Sequence, residues 1–184
     1  MVSKLSLAVI EQFVAESNGA TDTSTMKRLG DHYYQIVEGL GMHKSAAAFG
    51  AFPIDPYSHT PEKAGAKQPG MTGQVKEDVI SRMLELGGRV KAGRVSFEPA
   101  LFDRKEFATC ATAFNFSAID GTKSELLLSA GEFGWAWCQC PIIYRQSDRN
   151  SLTLTLASGE VVQRDRLELT AEESKHLFLS LIHI

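Results

Sequence analysis

Long apolar runs and an excess of basic residues are both missing from this sequence, and each absence excludes a class of protein. Apolar runs such as Leu126–Leu128 fall far short of the about 20 residues that a membrane-spanning helix needs. Lysine and arginine number 19 against 22 aspartates and glutamates, so the formal net charge is -3 and no basic face is available for nucleic acid. We therefore expect no membrane and no nucleic-acid partner.

Cysteine is also scarce, with three residues in all: Cys110, Cys138 and Cys140. An odd and sparse set favours free thiols in a reducing compartment, so we expect a cytoplasmic protein. Cys138 and Cys140 would share one face of a strand, but no second pair of ligands stands at metal-binding spacing. Cys138 and Cys140 are interpreted as core thiols, and neither a metal nor a cofactor is expected.

What the sequence does contain is an ordinary globular composition whose periodicity changes near residue 88. Hydrophobic residues make up 43% of the 184 residues and charged residues 22%. Apolar residues recur every three or four positions before residue 88 and every second position after it. The pattern predicts an α+β protein, with a helical segment over 1–88 and an antiparallel β module over 89–178.

Three amphipathic helices are predicted before residue 88, over 3–17, from 24 to about 40, and over 73–86. Asn18-Gly19 ends the first helix, Asp22 or Thr23 caps the second, and Thr72 caps the third. Three helices form a thin layer, so we expect them to belong to a larger helical array. Their apolar residues are Ile10, Phe13 and Val14; Met26, Leu29, Tyr33, Ile36, Val37 and Leu40; and Val75, Val79, Ile80, Met83 and Leu84.

About six antiparallel strands are predicted in the β module, as a sandwich or an open sheet. Glycine-containing turns separate most of them, as in the Asp120-Gly121 hairpin. One long central strand is expected over 132–144, with Phe133, Trp135 and Trp137 on the same face. The remaining strands are predicted over 89–97 as a hairpin, 112–119, 124–129, 152–156 and 160–169.

A connection of about thirty residues, 41–72, separates the second and third helices. Irregular segments longer than about 12–15 residues are uncommon in compact domains and are usually functional or disordered. Prolines at 53, 56, 61 and 69 stiffen this one, and aromatic residues can anchor it. We predict an ordered loop that carries the functional site.

Candidate catalytic residues in and next to this loop are Asp55, His59 and Glu77. Carboxylate pairs suit cleavage of a glycosidic bond, where one group protonates the leaving oxygen and the other activates water or attacks. Side chains that could bind hydroxyl groups or an anion accompany them. These candidate substrate-binding residues are Tyr57, Lys67, Gln68, Gln74 and Lys76.

Each candidate also has a purely structural interpretation, which the sequence leaves open. Asp55 precedes a proline and could start a turn, and His59 could lie at a helix start formed by Thr60 and Pro61. Glu77 lies in the first turns of a helix, where acids are favoured by the helix dipole. Trp135 and Trp137 could stack on sugar rings, but such alternation is more typical of a sheet core.

The strings GAFPIDPYSHTP, AGAKQPGMTGQVKEDVISR and FGWAWCQCPIIY resemble the C-terminal part of a large bacterial protein family similar to six-hairpin glycosidases. The resemblance covers roughly residues 30–145 and implies the last helices of an (α/α) barrel followed by a β module. It implies a carbohydrate substrate and a partner in the remainder of the parent chain, which would carry at least one catalytic carboxylate. It transfers no catalytic residue to this chain. The expected function is that of a glycoside hydrolase or phosphorylase-like enzyme, and the alternative is a non-catalytic glycan-binding or scaffolding module.

The last six residues, 179–184, have two interpretations. Leu-Ser-Leu-Ile-His-Ile is one translation of a transposon end used in preparing sequencing libraries, which would make it a non-native tail. It could equally be a short terminal strand.

Overall fold

The computed structural model describes residues 2–19, 22–41, 75–179 and 182–183. Helices and antiparallel strand pairs are both present in these ranges, which confirms the predicted α+β class. The chain divides into two compact units. The helical unit is Met1–Gly87 with Pro99–Leu101, and the β unit is Gly88–Glu98 with Phe102–Ile184.

The described part of the helical unit contains α1 (Val2–Ser17), α2 (Thr23–Gly41) and α3 (Val75–Glu85). The predicted cap of α2 is confirmed, because the Asp22 carboxylate accepts hydrogen bonds from the backbone N–H groups of Ser24 and Thr25. These bonds lower the pKa of Asp22. The predicted end of α1 is also confirmed by the turn at residues 18 and 19.

The core of the helical unit lies between α1 and α2. Ile10, Phe13 and Tyr33 are buried there together with Leu101. Ile10 and Phe13 are the residues that the helical period assigns to the inner face of α1, so that assignment is confirmed. The helix α1 also packs against α3.

The buried face of α3 is polar, which the apolar period did not predict. Val79 is 62% exposed and Ile80 is 38% exposed. Glu77, Ser81 and Glu85 are buried instead, and their spacing of four residues places them along one face of the helix. The apolar stripe of α3 is therefore only partly covered, while carboxylates and a hydroxyl group point inward.

The β unit consists of short hairpins rather than one continuous sheet. Among its described residues there are three two-stranded sheets, β1–β2, β3–β4 and β5–β6, and one three-stranded sheet in the order β8–β7–β9. A helix, α4, follows β8. The elements are β1 (Gly88–Lys91), β2 (Arg94–Phe97), β3 (Thr112–Ser117), β4 (Lys123–Leu128), β5 (Glu132–Trp137), β6 (Cys140–Arg145), β7 (Leu152–Leu156), β8 (Val161–Arg164), α4 (Ala171–Phe178) and β9 (Ile182–His183).

The prediction of one long strand over 132–144 is wrong. The chain reverses at Cys138 and Gln139, which have φ angles of 50° and 57°, and β5 pairs with β6 across this two-residue turn. Two successive residues with positive φ match the twist of a tight hairpin. The turn contains no glycine, so the usual sequence signal is missing. Cys138 therefore lies in the turn, whereas Cys140 lies in β6 and is buried.

The core of the β unit includes both tryptophans as packed, partly buried residues. The Trp135 and Trp137 rings stack with centroids 5.9 Å apart, and each meets the buried Phe97 ring edge to face. The sheet-core interpretation of these tryptophans is confirmed. The buried members of this core are Val95, Phe97, Cys140, Ile142, Leu152, Leu154, Leu169 and Leu177.

The predicted strand over 160–169 is shorter than expected, and a helix that was not predicted follows it. Regular pairing with β7 ends at Arg164. Thr170 and Glu173 then form a capping box, with Glu173 N–H bonded to the Thr170 hydroxyl and Thr170 N–H bonded to the Glu173 carboxylate. The helix α4 is held against β2 by Ser174, whose hydroxyl accepts from Val95 N–H at 2.9 Å.

The C-terminal residues Ile182 and His183 pair with Leu156 and Thr155 of β7. This pairing is what the terminal-strand interpretation predicts. A transposon origin of the codons for 179–184 stays a hypothesis, which the nucleotide sequence of the gene would test.

Candidate functional site

Most of the predicted site residues lie outside the described ranges, which skip 42–74. These are Asp55, Tyr57, His59, Lys67, Gln68 and Gln74, and most of the predicted loop falls there as well. Lys76 and Glu77 are described, and both lie in the first turn of α3. Lys76 is exposed, whereas Glu77 is 5% exposed, so the two neighbours face different surroundings.

Glu77 is a buried carboxylate with an unpaired oxygen. Its Oε2 atom is shielded from solvent and accepts a hydrogen bond from none of the described residues. A buried carboxylate without partners destabilises a protein by about 1–3 kcal/mol or more, and such groups are rare in native folds. A role in binding or catalysis is one physical explanation for such a group, beside a bound water or ion.

Glu132, in the β unit, shows what a buried carboxylate with a structural role looks like. Glu132 is 6% exposed, and its oxygens accept from Ser129 N–H at 2.7 Å and from the Arg145 guanidinium at 2.6 and 2.8 Å. These hydrogen bonds hold the pKa of Glu132 below its usual value. The bond from Ser129 N–H has the largest effect, and the bonds from Arg145 add to it. Glu77 is equally buried, yet its Oε2 has no such partner among the described residues.

Ser81 is a second unpaired polar group on the same face of α3. It is 4% exposed, and its Oγ atom makes no hydrogen bond to any described residue. Residues four apart on a helix have Cβ atoms about 5–6 Å from each other, so Ser81 is the direct neighbour of Glu77 on this face. The two side chains together offer one acceptor and one hydroxyl group.

Glu85, one turn beyond Ser81, is fully engaged. Its Oε2 accepts from the Tyr33 hydroxyl at 3.0 Å and lies 3.0 Å from the Arg82 guanidinium. Its Oε1 lies 2.9 Å from the Tyr34 hydroxyl, which also lies 2.5 Å from the Leu101 carbonyl oxygen. We interpret Glu85 as a structural clamp that joins α2 and the end of α3.

The state of Tyr33 supports this structural role. Burial, followed by the negative charge and hydrogen bond of Glu85, raises the pKa of Tyr33 well above its usual range. Tyr33 is therefore a hydroxyl donor at any physiological pH rather than an acid–base group.

Sequence reasoning identified Glu77 but missed Ser81, Glu85 and Tyr33. The available signal was the spacing of residues 77, 81 and 85, which places three polar side chains on one face of a short helix. The hydrophobic periodicity of α3 does not report this spacing, because it depends only on the positions of apolar residues.

Other kinds of site are not indicated in the described ranges. No group of three His, Cys, Asp or Glu residues there is arranged to hold a metal ion. Within the same ranges, every helix is too short or too polar to cross a lipid bilayer.

Comparisons with protein-family models and with curated proteins identify no relatives of this chain. No protein-family model matches the chain. No curated protein matches it significantly either.

Proposed function

We propose that this chain belongs to a carbohydrate-active protein, a glycoside hydrolase or phosphorylase-like enzyme of the six-hairpin type, in which Glu77 is an acid–base group. The observation that carries the proposal is the buried, unpaired Oε2 of Glu77. A carboxylate oxygen that no described residue hydrogen-bonds is suited to exchange a proton with a ligand oxygen. It also lies in the first turn of α3.

Cleavage of a glycosidic bond needs a second carboxylate, and Glu85 is unsuited to that role. Glu77 and Glu85 are eight residues apart, which is about 12 Å along a helix. Glu85 is also committed to Tyr33 and Arg82. We propose Asp55 as the second carboxylate, with His59 as an accessory proton carrier.

In the proposed reaction one carboxylic acid protonates the glycosidic oxygen as the bond to the anomeric carbon breaks. The other carboxylate deprotonates an attacking water or attacks the anomeric carbon itself. In a phosphorylase, inorganic phosphate replaces that water. Substrate hydroxyl groups would be bound by Tyr57, Lys67, Gln68, Gln74 and Lys76.

The remainder of a parent chain is proposed as the partner of the helical unit. Support comes from its exposed apolar residues, with Val79 at 62% and Leu5 at 53% exposure. Further helices of an (α/α) array would cover such residues. A cytoplasmic location is also proposed, supported by three free cysteines, of which Cys110 is exposed.

The test is a panel of aryl glycosides, assayed with and without inorganic phosphate. We expect Glu77→Gln to lower kcat/KM by at least about 100-fold, as the loss of a general acid or base does. Glu172→Gln is the matched control, because Glu172 is an exposed acid in the first turn of α4. Full activity of Glu77→Gln on a glycoside that the wild type cleaves would refute the catalytic role.

The alternative is a non-catalytic scaffolding or glycan-binding module. The stacking of the two tryptophan rings on each other, together with their contacts to Phe97, favours the scaffolding form because it packs them against the core. This alternative predicts no turnover of any glycoside by the wild type, in this chain or in an intact parent protein.

A further inference from the structure

Glu77 Oε2 and Ser81 Oγ are two shielded polar atoms, carried one helical turn apart on the buried face of α3, that no described residue hydrogen-bonds. We infer that they together hold one hydroxyl group of the ligand, with Ser81 acting as a positioning residue that directs this hydroxyl to Glu77. The inference rests on the proposed function for its carbohydrate ligand, but it concerns binding and not bond cleavage.

Helix geometry allows one ligand atom to reach both side chains. Residues four apart have Cβ atoms about 5–6 Å from each other. Hydrogen bonds between oxygen atoms span about 2.7–2.8 Å. A single oxygen between the two side chains can therefore lie within bonding distance of both.

The hydrogen-bonding capacity of the two side chains fits a ligand hydroxyl group. An ionised Glu77 only accepts hydrogen bonds, and the Ser81 hydroxyl can donate one. An ammonium group has no acceptor for Ser81, and a phosphate would bring a second negative charge against Glu77. A hydroxyl donates to Glu77 and accepts from Ser81, so each group is satisfied.

The neighbouring charges agree with this selection. Arg82, which follows Ser81, pairs with Glu85 at 3.0 Å. Asp78, the residue after Glu77, is half-buried, and Lys76 is exposed. The Arg82 guanidinium is thus paired with Glu85, and an anionic ligand group at this site would lie close to the Glu77 carboxylate.

Ser174 shows that an unpaired buried serine is not general in this protein. Its hydroxyl accepts from Val95 N–H at 2.9 Å and donates to the Thr170 carbonyl at 2.7 Å. Ser174 thus has a structural role that uses both of its functions, whereas Ser81 has no partner among the described residues.

The test is isothermal titration calorimetry of the chain with five probes: the methyl glycosides of glucose, galactose and mannose, together with xylose and sorbitol. We expect at least one probe to bind. Ser81→Ala should weaken its Kd by about 3- to 10-fold, the effect of one hydrogen bond, and Glu77→Gln by about 10-fold or more. Ser174→Ala is the control and should leave Kd unchanged.

Thermal unfolding of the unliganded variants separates positioning from structure. A positioning role predicts that Ser81→Ala keeps or raises Tm while it weakens binding. A structural role predicts a lower Tm and an unchanged Kd. Ser81→Thr, which retains the hydroxyl, should bind the probe more tightly than Ser81→Ala.

Binding of no probe at 100-fold excess over protein would overturn the inference, and so would a Kd that Ser81→Ala does not change. If Glu77→Gln abolishes hydrolysis while Ser81→Ala binds normally, the proposed enzyme stands and the inference fails. If no glycoside is hydrolysed but probe binding depends on both residues, the inference stands and the enzymatic proposal fails.

Discussion

The Tyr33 hydroxyl donates a 3.0 Å hydrogen bond to Glu85 Oε2, joining residues 52 positions apart in the sequence. Tyr33 is 2% exposed and Glu85 is 5% exposed, so the bond lies inside the helical unit. It connects α2 with the last residue of α3, on the face that also carries Glu77 and Ser81. The orientation of the candidate site therefore depends on this contact.

The first prediction concerns that contact. Tyr33→Phe removes a donor from a buried carboxylate, and we expect a loss of about 1.5–3 kcal/mol in the free energy of unfolding. Urea denaturation followed by circular dichroism measures it. Glu85→Gln and the double variant complete a mutant cycle, and a coupling energy near zero would show that the bond contributes nothing.

The second prediction compares two buried serines. Ser174→Ala should destabilise the protein by about 1–3 kcal/mol, because Val95 N–H loses its acceptor. Ser81→Ala should be neutral or stabilising, because it removes a hydroxyl without a partner among the described residues. Parallel urea titrations measure both, and equal losses would contradict the distinction between the two serines.

The third prediction concerns the close approach of β3 and β5. A Cβ atom at Gly134 would lie 2.8 Å from two atoms of the Phe114 ring. Gly134→Ala should therefore cost about 1–3 kcal/mol through overpacking. Thermal unfolding measures the loss, and Phe114→Leu should recover part of it. An unchanged Tm in Gly134→Ala would show that the ring moves aside freely.

The fourth prediction concerns acid stability. The pKa of Glu132 is lowered in the folded state by Ser129 N–H and Arg145, so the unfolded state takes up this proton first. The resulting stability is present above the ordinary glutamate pKa and is lost as the pH falls through the folded value. Unfolding free energies measured from pH 7 to pH 3 should fall more steeply in the wild type than in Glu132→Gln.

Glu125→Gln is the control for this titration, because Glu125 is exposed on β4. It should retain the steep acid dependence of the wild type. A Glu132→Gln profile parallel to that of the wild type would show that the Arg145 pair has no part in acid unfolding.

Local signals predicted the parts of the fold that depend on local chemistry. The sequence predicts a cap of α2 at Asp22 or Thr23, and Asp22 provides it, because its carboxylate accepts from the free N–H groups of Ser24 and Thr25. The hairpin at Asp120-Gly121 was identified because glycine readily takes the positive φ of 81° found there. These features need no information from distant residues.

Three features of the structure were not predicted. They depend on tertiary packing, or their sequence signals are weak. The Cys138-Gln139 turn lacks glycine, and pairing of β5 with β6 stabilises it. The helix α4 had a readable signal in Thr170 and Glu173, a capping-box pair that was overlooked in a polar stretch. The buried polar face at Ser81 and Glu85 could not be read from a hydrophobic pattern at all, since helix packing selects which side turns inward.

The attachment of α4 to β2 has a consequence for aggregation. Phe97 N–H bonds to the Leu167 carbonyl, Leu169 N–H bonds to the Val95 carbonyl, and Ser174 accepts from Val95 N–H. The outer edge of β2 is thus occupied by the protein's own chain. Free strand edges recruit strands from other molecules, so residues 167–174 protect the edge of β2 from intermolecular pairing.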